Sequence, residues 1–250
     1  MVFDLTFFAL AIPAVLFAGI SKGGFGSGAA FAATPILALI LTPGQALGLM
    51  LPLLMLMDVT NLRPYWRKWD GGAARALLIG AVPGIALAAA IYHIADPEFF
   101  RLLIGSMALA FVAWQFVLAR GWVRLGRRKS GRGLGVAMGV IGGFTSFVSN
   151  AGGPPAAIYL LSIGIGKTTY QATTVVVFWV INILKFFPFL YLGIFTHQTV
   201  LGDLMLAPFA VLGAWIGVKA HHMVPEKWFF ALTYVLLVLT GAKLIWDALA

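Results

Sequence analysis

Two stretches of this chain gather the residue types that hold a small anion. The first, "SKGGFGSG", supplies Lys22, Gly23, Gly24 and Ser27; the second, "GGFTSFVSNAGGPP", supplies Ser146, Ser149, Asn150, Gly152 and Gly153. An ammonium group brings positive charge, while hydroxyls and a carboxamide donate hydrogen bonds. Glycine lets a ligand approach the backbone closely. Three more polar residues stand inside apolar runs: Asp58, Asn182 and Lys185. Charges within such runs are costly and mark function by default. Asp58 is the one carboxylate well inside a run, so no carboxylate pair for acid–base work is in view, and the chain has no cysteine to form a thiolate metal site.

The elements that must position these groups are set by composition. Of 250 residues, 61% are hydrophobic and 10% charged, against about 25% charged in a soluble domain. The mean hydropathy is +0.98. Apolar runs near the bilayer-spanning length recur without the strict alternation of barrel strands, so the predicted class is an all-α polytopic membrane protein. Ten runs can be marked, near residues 3–21, 29–41, 45–62, 72–94, 99–119, 134–149, 156–166, 169–194, 199–219 and 228–247. The runs at 29–41 and 156–166 are too short for a full span and fit broken or re-entrant helices. The start of the chain has Asp4 and no basic flank, which reads as a retained membrane segment rather than a signal peptide.

The formal net charge is +9. Arg120, Arg124, Arg127, Arg128, Lys129 and Arg132 crowd one loop between runs. That placement fits a cytoplasmic loop better than a nucleic-acid surface, and no nucleic-acid partner is expected.

The two halves of the chain resemble each other. "GGFGSGAAFAATP" from Gly23 and "GGFTSFVSNAGGP" from Gly142 share Gly, Gly, Phe, Ser, Ala and Pro at equal offsets. "DVTNLRP" (Asp58–Pro64) aligns with "NILKFFP" (Asn182–Pro188), and "DPEFF" with "VPEKW". The period is about 120 residues, the pattern of a duplicated transporter half. Basic "RPYWRKWD" is matched by "PFLYLGIFTHQ", which has no Lys or Arg. Acidic "HIADPEFFR" is matched by basic "KAHHMVPEKW". Inverted topology under the positive-inside rule requires such a reversal. The expected organisation is residues 1–120 as repeat 1, 121–133 as a basic cytoplasmic linker and 134–250 as repeat 2, with both termini outside.

Irregular backbone in a bilayer must line protein or a water-filled cavity. The two glycine-rich breaks are therefore expected to face each other inside. Pro154 and Pro155 suit the first turn of a new helix, whose N-terminus favours an anion; the stretch from Ala29 should repeat this beside Lys22. The plainer alternative is that the glycines only let helices pack closely.

On "GISKGGFGSGAAFAATP", "GGFTSFVSNAGGPP", the basic central loop and the long repeat, the chain resembles the TauE/SafE sulfite-exporter family of membrane permeases. The resemblance covers essentially the whole chain. It implies export of sulfite, sulfonates or related organosulfur anions across the cytoplasmic membrane, and no enzyme activity.

The expected partners are a small anion and membrane lipid, with a homodimer as one assembly, and no cofactor or metal. The anion is expected to meet Lys22, Gly23, Gly24, Ser27, Ser146, Ser149, Asn150, Gly152, Gly153, Asn182 and Lys185, with Asp58 in coupling or gating. Lys185 is placed some 20 Å from either end of its run and is expected to pair with Asp58 when no anion is bound. His93, His197, His221 and His222 fall at run ends, as do Trp66, Trp69, Trp122 and Trp228, which suits interfacial positions. "GIGKTT" has Leu161 where a phosphate loop needs its first glycine, so nucleotide binding is not expected. The rival class, an intramembrane enzyme acting on a lipid or isoprenoid, lacks a set of positioned acids and bases.

Overall fold

Asp4, Thr42, Asp70 and Asp96 each stand where an apolar run begins, and each caps a helix. Their side chains accept from the backbone N–H of Phe7, Gln45, Ala73 and Phe99 at 2.8, 3.3, 2.7 and 2.8 Å. Gln45 returns the bond to the Thr42 N–H, completing a capping box. A polar residue at a run boundary thus satisfies N–H groups that lipid could not.

The structure is a computed structural model that describes residues 1–25, 30–122, 131–220 and 226–250, with only the backbone of Phe25, Ala220 and residues 226–229. Ten α-helices follow in order: α1 Leu5–Ile20, α2 Ala33–Leu37, α3 Pro43–Tyr65, α4 Gly71–Ile94, α5 Pro97–Ala119, α6 Arg132–Ser149, α7 Gly153–Ser162, α8 Lys167–Tyr191, α9 His197–Ala220 and α10 Glu226–Leu249. A π-helical turn, Ser21–Phe25, prolongs α1, and a 3₁₀ turn, Ala30–Ala32, leads into α2. No strand occurs among the described residues. Among the described residues, seven helical stretches are long and apolar enough to cross a membrane: Leu5–Gly24, Pro43–Tyr65, Gly71–Ile94, Pro97–Ala119, Lys167–Tyr191, His197–Lys219 and Phe230–Leu249.

Glycines set the tightest helix pairs. Gly19 lies against Gly213 and Ala214, and Gly24 against Gly217, so α1 and α9 run parallel with their backbones in contact. Gly80 and Gly84 meet Gly139 and Val140 in the same way, so α4 and α6 run parallel. Gly105 against Gly241, and Gln115 donating to Tyr234, set α5 and α10 antiparallel. The Asp58–Asn182 and Asp70–Thr173 hydrogen bonds set α8 antiparallel to α3. Without a hydrophobic drive between helices in lipid, such close approach supplies the packing attraction.

Following these directions, Met1, Asp4, Thr42 and Arg101 gather at one end of the bundle. The C-terminus, where Lys243 and Asp247 pair, lies at that same end. Arg63, Arg67, Lys68, Arg120, Arg132, Lys167 and Lys219 lie toward the other. Arg124, Arg127, Arg128, Lys129, His221 and His222 fall outside the described residues.

Candidate functional site

The two breaks have different backbones. After α6 the chain truly stops: Asn150 takes a left-handed conformation, φ 57°, and its N–H bonds Ser146. Asparagine tolerates that conformation better than most residues. Gly152 then precedes α7, which opens on Gly153, Pro154 and Pro155. The prolines suit a first turn but have no N–H, so this half-helix end offers fewer anion donors than an ordinary one. The first break differs more. Lys22, Gly23 and Gly24 sit in the π turn that continues α1, and α2 has only five residues. The expectation of a second half-helix anion site from Ala29 onward is therefore corrected: the helix there is too short to present one.

Between the breaks lies a buried polar cluster. Lys22 Nζ stands 2.5 Å from Asp58 Oδ1, and the side chains are 5% and 0% exposed. Lys22 also donates to the Leu54 carbonyl at 3.3 Å. The second Asp58 oxygen accepts from Asn182 Nδ2 at 2.7 Å. Lys185, with no exposed surface, donates to the Ser146 carbonyl at 3.0 Å and to Asn150 Oδ1 at 2.6 Å. Asn150 Nδ2 donates to Thr34 Oγ1 at 3.0 Å, joining the second break to α2. Lys22, Ala30, Leu54, Ser146, Asn150, Phe178 and Asn182 enclose a cavity of about 20 Å³. That is room for about one water molecule, too little for an oxyanion in this state.

The expected pairing of Lys185 with Asp58, direct or through water, is corrected in its direct form. The aspartate is held by Lys22 and Asn182, and among the described residues no carboxylate lies within ion-pair distance of Lys185. Nor is Lys185 midway along its helix. It stands about 9 Å short of the last residue of α8, yet it is wholly buried.

The sequence profile of the family described as "Sulfite exporter TauE/SafE" matches residues 11–244. The chain belongs to this family. It is thus a multi-pass membrane protein of a transporter family. No curated protein and no solved structure was found to match it.

In this TauE/SafE chain the remaining expected site residues are distributed as follows. Gly23 and Gly24 face α9: a Cβ on either would lie 2.3 or 2.4 Å from the carbonyl oxygen of Ala214 or Gly217. Their role in this state is close packing. The Gly23 carbonyl accepts from Tyr65 Oη at 3.2 Å. Ser149 turns to the Thr145 carbonyl and to Met107 Sδ, away from the cavity. Gly152 packs against Phe178 and Gly142, and Gly153 starts α7. Ser27 lies outside the described residues.

Sequence reasoning missed Thr34 and Gln171. Gln171 donates to the Lys22 carbonyl at 3.0 Å, satisfying backbone that the π turn frees. The signal was available: a glutamine within an apolar run, and a threonine just before the proline that ends the first repeat motif. Two buried polar side chains also went unremarked. Neither amide atom of Asn61 and neither carboxylate oxygen of Asp203 has a hydrogen-bond partner among the described residues.

Proposed function

We propose that this protein is a secondary transporter that moves a small sulfur-containing anion, such as sulfite or a sulfonate, outward across the cytoplasmic membrane. The observation that carries the reading is Lys185. Its amino group is buried with carbonyl and amide partners and, among the described residues, no carboxylate within ion-pair distance, so a positive charge there has no counter-ion beside the cavity. Such charge is expensive in an apolar interior unless something neutralises it. An anion passing through would do so. An inside-negative potential favours its exit by about 2.3 kcal/mol per charge per 100 mV.

The proposed architecture is two halves of inverted topology. Three features support it. The α1–α9 and α4–α6 pairs are both parallel and both glycine-packed, and they exchange when the halves are exchanged. Asp58 and Asn182, aligned in the repeat, meet directly. Most of the described basic residues outside the buried cluster lie toward one end of the bundle, with Arg101 and Lys243 at the other, and by the positive-inside rule the richer end is the cytoplasmic one. Reporter fusions should then read the loop at 120–132 as cytoplasmic and both termini as outside; a cytoplasmic C-terminus would overturn the inversion.

Transport is tested with purified protein in proteoliposomes loaded with sulfite. Protein-dependent efflux that collapses in Lys185→Gln supports the reading. Efflux no faster than from empty liposomes, with sulfonates equally retained, rejects it.

A further inference from the structure

The charges that surround the cavity can be counted. Four acidic or basic side chains are buried among the described residues: Lys22, Asp58, Lys185 and Asp203. Lys22 on the extension of α1 and Asp58 on α3 form an ion pair. Lys185 on α8 has no such partner. The elements that complete the cluster add none. Thr34 comes from α2, Leu54 from α3, Ser146 and Asn150 from the end of α6, and Phe178 and Asn182 from α8. The undescribed residues between Phe25 and Ala30 are Gly26, Ser27, Gly28 and Ala29, which carry no charge. Asp203 belongs elsewhere. Its neighbour Gly202 packs on Leu49, Phe3 and Met1, toward the end of the bundle that holds the N-terminus. From Leu49 to Asp58 is about 13 Å of helix.

With Lys185 protonated, as it is when an anion stands beside it, the site therefore carries a net charge of one positive unit. Resting on the anion-transport reading above, we infer that it selects by charge: the transported species is a monoanion, a sulfonate or hydrogensulfite, and a dianion of the same size is refused. A monoanion beside Lys185 leaves a neutral interior. A dianion leaves one negative charge uncompensated in a buried cluster where Asp58 already stands. In a medium of reduced dielectric that excess is far costlier than in water. Shape cannot make this distinction among small tetrahedral and pyramidal oxyanions, whereas charge can.

Three anions separate the possibilities in proteoliposomes. A short alkanesulfonate is a monoanion across the working pH range, and sulfate is a dianion. Sulfite changes from one to the other near neutrality. The alkanesulfonate reports any titration of the protein itself, so sulfite flux is read as a ratio to it. The expected result is a ratio that falls about tenfold per pH unit once the dianion dominates, with sulfate barely moved. Asp58→Asn raises the net charge of the site to two positive units and should increase the sulfate-to-sulfonate ratio by about tenfold or more. A sulfite-to-sulfonate ratio that stays flat with pH, or sulfate moving as fast as the sulfonate in the unaltered protein, overturns the inference while leaving anion transport intact. If none of the three anions moves, the transport reading itself fails.

Discussion

The two glycine-rich breaks align residue for residue, yet they are built for different work. At the first, the helix runs on through a π turn. Its lysine is matched by an aspartate, and its glycines lie against the backbone of α9. At the second, the helix ends in a left-handed asparagine, and the nearby lysine has only neutral partners. One break is a clamp whose charge is internally balanced; the other holds charge in reserve. In the proposed repeat alignment the roles divide at two positions: Asp58 in the first half stands against Asn182 in the second, and Asn61 against Lys185. The carboxylate and the unpaired lysine thus stand on opposite halves.

The largest effect should come from breaking the clamp. Asp58→Ala leaves the Lys22 ammonium buried without its counter-ion, which costs about 3–5 kcal/mol. Lys22→Met combined with Asp58→Leu removes both charges and should recover most of that loss, since replacing a whole buried pair by apolar side chains is often neutral. Thermal unfolding in detergent measures both. The double variant still carries Lys185, so it should keep binding a monoanion; a double variant as unstable as Asp58→Ala would show that the pair is not the clamp.

The aligned glycines sharpen the contrast further. A Cβ on Gly23 would lie 2.3 Å from the Ala214 carbonyl oxygen, whereas one on Gly142 would have nothing nearer than the Gly152 oxygen at 3.5 Å. Gly23→Ala should therefore destabilise by about 1–3 kcal/mol through overpacking. Gly142→Ala, in the middle of α6, should be neutral or gain up to about 1 kcal/mol from helix propensity. Equal stability losses at the two positions would mean that both glycines serve packing alike.

Much of this was legible in the chain. The run boundaries and the two interruptions follow from where polar residues break the apolar runs, because lipid leaves backbone groups no other partner. The identity of Asp58's partner was not legible. Lys22 and Lys185 are both lysines near breaks, and choosing between them depends on the π turn, which swings Lys22 toward α3. No pattern of residue types announces that turn. Gly23 and Gly24 were ambiguous for a related reason: a glycine needed for a ligand and one needed for a helix neighbour look the same in sequence. The neighbour, α9, lies about 190 residues away in the chain.

At the second break, Lys185→Gln should reduce anion affinity at least about tenfold, or about 1.4 kcal/mol. Stability should hold or rise, because a desolvated ammonium is removed while a polar group remains for Asn150 and Ser146. Binding isotherms with a sulfonate and unfolding curves on the same preparation separate the two readouts. Loss of stability without loss of affinity would make Lys185 a structural residue and return the second break to the same role as the first.

The smallest expected effect separates the two duties of Asn150. Its backbone is left-handed, and its carboxamide joins Lys185 to Thr34. Asn150→Gly keeps the backbone free of strain and removes only the amide. Asn150→Ala removes the amide and adds the left-handed penalty of about 1 kcal/mol. The two variants should therefore differ in stability by about that amount, with glycine the more stable. They should lose anion affinity equally, because both free Lys185 from the same restraint and delete the same donor. If glycine binds the anion as well as asparagine does while alanine does not, the residue acts only through its backbone. The second break would then be a hinge in the chain rather than part of the anion's surroundings.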